Sequence, residues 1–121
     1  MSNVYAITHP DGYVKIGKSD TPMLRFNEIR MYSPYTLELF AILSTEGNAL
    51  ELEKEIHEEL ADECVHGEWF NLSKDAVYRL FTQVSESKDD VYHMERVNFK
   101  RDSKLKQSDT PDSGFAKASD L

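Results

Sequence analysis

Asn3-Val4-Tyr5-Ala6-Ile7-Thr8-His9-Pro10-Asp11-Gly12-Tyr13-Val14-Lys15-Ile16-Gly17-Lys18 is the stretch on which the reading of this chain turns. Val4, Ala6 and Thr8 alternate with Tyr5 and Ile7, the period of a strand, and the β-branched and aromatic residues favour that state. Asp11-Gly12 is a hairpin turn signal, because Gly reaches positive φ at no steric cost. Tyr13, Lys15 and Gly17 then share one face of a second strand, with Val14 and Ile16 on the other. A β-hairpin is expected, carrying a tyrosine, a lysine and a glycine at fixed spacing, with Tyr5 and Lys15 close across it.

Outward from the hairpin, Asp20 or Thr21 can cap a helix whose first turn accepts Pro22. Leu24, Phe26, Ile29 and Met31 are its expected apolar surface, and Ser33-Pro34 ends it. Thr36–Leu43 is apolar enough for a central strand. Asn48 with Glu51 resembles a capping box. The helix behind it carries Ala49, Leu52, Ile56 and Leu60 as a core stripe. Glu53 and His57, four apart, lie on adjacent turns at the border of that stripe. Glu68–Leu72 reads as a short extended segment. Ser73 caps a last helix through Val84, with Ala76, Val77, Leu80, Phe81 and Val84 inward. The order β-β-α-β-α-(β)-α predicts an α+β fold: a small mixed or antiparallel three-stranded sheet with helices packed on it. The expected domain is residues 1–85. Residues 86–121 are expected to be a polar, largely disordered extension, with one short element at Val91–Phe99.

With 121 residues the chain fits one domain. Its single cysteine, Cys64, allows no internal disulfide and reads as a buried thiol in a helical pattern. The absence of a long apolar run or a leader-like N-terminus gives a cytoplasmic expectation with no membrane partner. The net charge of −8 opposes a simple nucleic-acid reading, since phosphate-binding proteins usually present positive surface. The acidity is concentrated, however. Residues 49–63 hold seven acids against Lys54, whereas 100–106 hold Lys100, Arg101, Lys104 and Lys106 against Asp102. The acidic helix 49–63 is either a solvated face or a surface for a protein partner. The basic stretch 100–106 can add phosphate contacts.

Phosphodiester cleavage needs a group to activate water, a cation for the phosphate, and a carboxylate to hold a metal. Tyr5 suits the first task if a neighbouring cation, expected to be Lys15, lowers its pKa. Arg25 suits the second through its planar fork. Glu53 is a hard oxygen ligand for one Mg²⁺ or Mn²⁺. His57 can assist proton transfer. Taken singly, each has a bland reading: Tyr5 and Tyr13 as strand aromatics, Trp69 and Phe70 as core, Arg25 as a surface arginine. Only the joint pattern points to a site.

Val4-Tyr5, Lys15-Ile16-Gly17, Arg25 and Glu53, in that order, resemble the GIY-YIG nuclease superfamily. More closely, Lys15-Ile16-Gly17, Glu53 with His57, and Glu68-Trp69-Phe70 are similar to a short phage and bacterial GIY-YIG-like subfamily with K-I-G, E-x-x-x-H and E-W-F motifs. The resemblance covers roughly residues 3–72. It implies a β-β-α-β core and an endonuclease-like domain acting on DNA, with Tyr5, Lys15, Arg25 and His57 as catalytic residues and Glu53 as the metal ligand. Tyr13, Lys18 and Asn71 are its expected substrate contacts. Two departures stand out. Asn3-Val4-Tyr5 lacks the first signature's glycine, and Lys15 stands where the wider superfamily has its second tyrosine. The alternative expectation is a nuclease fold that binds nucleic acid or a protein without cutting.

Overall fold

Ser2–Thr8 (β1) and Tyr13–Ser19 (β2) pair antiparallel in the register Tyr5↔Gly17 and Ile7↔Lys15. The computed structural model describes residues 2–100. The connecting turn is closed by His9 N–H donating to the Tyr13 carbonyl at 2.8 Å, with Gly12 at φ 96°. A β-carbon at that φ would be strained, which is why Gly12 stands there.

Pro22–Met31 (α1) follows, with Pro22 in the first turn. Glu38–Thr45 (β3) then pairs antiparallel with the other side of β1. Next come Ala49–Glu59 (α2), a short 3₁₀ turn at Ala61–Glu63, the strands Cys64–His66 (β4) and Trp69–Asn71 (β5), Lys74–Ser87 (α3), and Val91–Lys100 (β6). The sheet runs β4-β5-β2-β1-β3-β6, and every adjacent pair is antiparallel. The α+β class is as expected, but the sheet has six strands where three were predicted. β4 and β5 are three residues each, too short for alternation to register in sequence. β6 carries the sheet beyond residue 85 by pairing with β3. Residues 101–121 of the extension expected to be disordered, and the basic side chains of 100–106, lie outside the described residues.

Two cores form, one on each face. Val4, Ala6, Val14 and Ile16 pack beneath Leu52 and Ile56 of α2, Leu60 at its C-cap, and Val77 and Phe81 of α3. On the opposite face Tyr5, Ile7, Leu39 and Ile42 are covered by Phe26 of α1, with Ile29 beside them. The Asn48 side chain accepts from Leu50 N–H and Glu51 N–H, and Ser73 Oγ accepts from Ala76 N–H, so both helices of the first face have the expected caps.

Three burial expectations are corrected. Leu24 and Met31 of α1 are exposed at 62% and 71%, leaving Phe26 as that helix's one buried side chain. Cys64 lies on β4, not on a helix, and is exposed. Phe70 is core, but Trp69 on the opposite face of β5 is only half-buried. Among the described residues no helix is long and apolar enough to cross a membrane.

Candidate active site

β5 pairs with only the first three residues of β2, so Gly17, Lys18 and Ser19 lie on a stretch of edge that no strand continues. α2 covers this edge. His57 Nε2–H donates to the Ile16 carbonyl at 2.9 Å, and its ring packs on Phe70. Ile16 N–H donates to the Glu68 carbonyl at 3.0 Å. His57 thus satisfies a strand carbonyl that lacks a ladder partner. One turn earlier on the same helix, Glu53 lies within electrostatic reach of Lys15, Lys18 and Glu68.

Glu53 is the one buried carboxylate, at 8% exposure among the described residues, and its Oε2 is buried without a hydrogen-bond partner. Burial first, then the nearby Glu68, raises its pKa, while His57, Lys18 and Lys15 pull the other way. A buried oxygen left unpaired is costly. This one fits a hard cation that brings its own waters, as Mg²⁺ and Mn²⁺ do. Among the described residues no group of three or more His, Cys, Asp and Glu gathers. A cation here would therefore rest on Glu53, with Glu68 the carboxylate nearest to it in influence.

Tyr5 is 2% exposed, on the α1 face. Its hydroxyl lies over the Cα of Gly17, where a β-carbon would stand 2.5 Å from Oη and 3.1 Å from Glu68 Oε1. The glycine is therefore what lets Tyr5 and Glu68 share that space. Arg25 reaches toward the same hydroxyl from α1. Burial raises the Tyr5 pKa; the nearby Arg25 opposes it, and Glu68 and Glu53 add to the rise. Tyr5 accordingly keeps its proton at neutral pH.

The cation expected beside Tyr5 is corrected by this geometry. Lys15 lies across from Ile7, not Tyr5, and its ammonium is bound by Glu68 at 2.8 Å. Arg25 is the cation on the tyrosine. Arg25 also pairs with Glu28 at 3.1 Å, an exposed contact of the kind worth about 0–1 kcal/mol. Asn3, at the position of the missing signature glycine, is buried. Its amide donates to the Ser19 carbonyl at 3.1 Å and accepts from Ser44 Oγ at 2.6 Å, fastening the end of β2 to β3.

Tyr5 and Glu68 thus meet over Gly17, with Arg25 and Lys15 beside them, while Glu53 on α2 lies within electrostatic reach of Tyr5, Lys15, Lys18 and His57 but lines a separate groove with His57. Tyr13 and Asn71 do not join them: they face each other at the far end of the β2–β5 pair, both exposed. Glu68 is the residue that sequence reasoning passed over. It was visible only as the first letter of Glu68-Trp69-Phe70, and its role depends on a pairing with Lys15 53 positions away.

The chain matches the T5orf172 domain over residues 3–85, which spans the hairpin, the site and most of α3. No curated protein and no solved structure matches it. With well over half its length inside that match, the chain belongs to the T5orf172 domain family.

Proposed function

We propose that this protein is a GIY-YIG-type endonuclease-like domain that hydrolyses DNA phosphodiester bonds with one Mg²⁺ or Mn²⁺. The observation that carries this reading is Arg25 beside Tyr5 over Gly17, with a buried, unpartnered Glu53 oxygen within electrostatic reach of the tyrosine. Membership of the T5orf172 domain family supports it.

Arg25 exchanges its weak contact with Glu28 for a phosphate oxygen, which its fork can grip in bidentate fashion. Tyr5 orients the attacking water through its hydroxyl. Tyr5, protonated at neutral pH, does not take the water's proton; that proton goes to His57 Nδ1. Glu53 would hold the cation, whose contribution is Lewis-acid stabilisation of the leaving oxygen. Lys15 and Lys18 add positive charge near the phosphate, and Glu68 fixes the position of Lys15. His57 holds the α2–β2 junction through Nε2, which leaves Nδ1 as its available proton acceptor.

Plasmid nicking with Mn²⁺ tests the reading, with wild type compared to Glu53→Ala and Arg25→Ala. The expected result is nicking by wild type and a loss of roughly 100-fold or more in each variant, the scale of removing a transition-state charge contact. Equal activity in all three, or none in wild type at high protein concentration, overturns it.

A second reading is a binding module without cleavage. It is favoured by Lys15 in the place of the second tyrosine, with its charge already met by Glu68. DNA binding with no Glu53-dependent cutting is its signature. A protein partner on the acidic α2 would instead show as DNA binding with shallow salt dependence.

A further inference from the structure

Beside α1, over Lys15 of β2 and Trp69 of β5, lies an open groove of about 510 Å³ lined by Lys15, Arg25, Glu28, Ile29, Tyr32 and Trp69. That volume lies inside the range of roughly 300–1,000 Å³ for small-ligand sites. Its walls combine two cations with two aromatic rings. Tyr32 is 89% exposed at the end of α1. Trp69 is braced at a right angle by the His9 ring, 5.9 Å away, and has the Lys15 ammonium 5.9 Å from its centroid. The rings rise beside Arg25, the same side chain that reaches Tyr5.

An aromatic platform next to a phosphate grip suits one kind of ligand. Bases paired within a duplex are stacked on each other and offer no free π-face. An unpaired base can swing out and stack on a protein ring while its own phosphate stays on the cation. Glu28 lies on the groove wall, but its pairing with Arg25 is exposed on both sides and readily exchanged.

We propose that this groove binds an unpaired nucleobase of the DNA strand whose phosphate Arg25 holds, stacking it on Trp69 and Tyr32. The substrate is then DNA with single-stranded or frayed nucleotides at the point of attack, not a regular duplex. This rests on the nuclease reading above for the role of Arg25, yet it concerns binding alone.

Trp69 is the chain's only tryptophan and so reports on its own stacking. The full-length protein in EDTA is titrated with a short oligodeoxythymidylate and with a blunt duplex of equal length. Tryptophan emission and the anisotropy of a labelled strand are followed. The expected result is quenching by the single strand and at least tenfold tighter binding of it than of the duplex. Trp69→Ala should weaken single-strand binding about tenfold, at the lower end of one base–aromatic stack, with duplex binding unchanged. Trp69→Phe should restore most of the loss. Tyr32→Ala, at a site too exposed to affect folding, should weaken single-strand binding several-fold. Absence of quenching, or equal weakening of both ligands by Trp69→Ala and Tyr32→Ala, overturns the proposal. Glu53-dependent nicking without quenching would leave the nuclease reading standing and remove this one. Quenching without nicking would do the reverse.

Discussion

Gly17 lies directly across the β1–β2 ladder from Tyr5, and a β-carbon on Gly17 would stand 2.5 Å from the tyrosine's Oη and 2.7 Å from its Cζ. The backbone at Gly17 is not in the positive-φ region, so the glycine is required by the ring above it and not by the chain's own path. Tyr5 is buried and cannot swing aside. Gly17→Ala is therefore expected to destabilise the protein by about 1–3 kcal/mol, as overpacking does. The same alanine in a Tyr5→Ala background should cost far less. Urea unfolding of the four proteins in this cycle checks it, with a coupling above about 1 kcal/mol expected.

Glu53 shows a conflict between stability and site chemistry. Its folded pKa lies above the ordinary 4.5, so the folded state holds the proton more tightly than the unfolded chain does. The resulting penalty is absent below the unfolded pKa and grows as pH rises through the folded one. In metal-free protein, Glu53→Gln should raise the Tm at pH 7 by roughly 2–5 °C, the shift that about half to one kcal/mol gives. That gain should vanish near about pH 4, where both proteins are neutral at this position. Adding Mn²⁺ should stabilise wild type and leave Glu53→Gln unmoved. Thermal melts across pH, with and without the ion, give the answer.

Glu68 raises the pKa of both Glu53 and Tyr5 and ties up Lys15. Glu68→Gln removes that negative charge and frees the lysine, and both changes favour ionised Glu53. The acid limb of the nicking rate should move to lower pH. An unchanged or upward-shifted limb would show that Glu68 does not act on Glu53.

Cys64 is exposed on the edge strand β4. A thiol-specific chromogenic disulfide should therefore label the native protein fully within minutes and without denaturant. Labelling that waits for unfolding would place the thiol in a core instead.

Much of this architecture could be read from the sequence because local pattern and burial agree. Ala49, Leu52, Ile56 and Leu60 are all buried, as their spacing requires. The hairpin register follows from its two-faced strands and the Asp11-Gly12 turn. α1 misled because only Phe26 of its apolar residues is buried, while Leu24 and Met31 face solvent. β4 is exposed at all three positions, so no hydrophobic period marks it. Tyr5, Arg25 and Glu53 were legible as a set, whereas the partner of each cation was not. Whether Lys15 faces Tyr5 or Glu68 depends on strand register and on a turn near Gly67, and no local spacing encodes either.

The acidic outer side of α2, where Glu51, Glu55, Glu58 and Glu59 face solvent, bears on how the protein would find a target. Proteins that slide along DNA do so on a carpet of weak, sequence-blind phosphate contacts. Among the described residues only Lys15 and Arg25 of the cations line the groove, and the acidic face of α2 offers no such carpet. Encounters made through that face would be released at once, and those that persist would be the ones in which Arg25 and the rings beside it find what they fit. Selectivity then comes from rejecting most encounters quickly, and the repulsive helix becomes the part of the molecule that enforces the rejection.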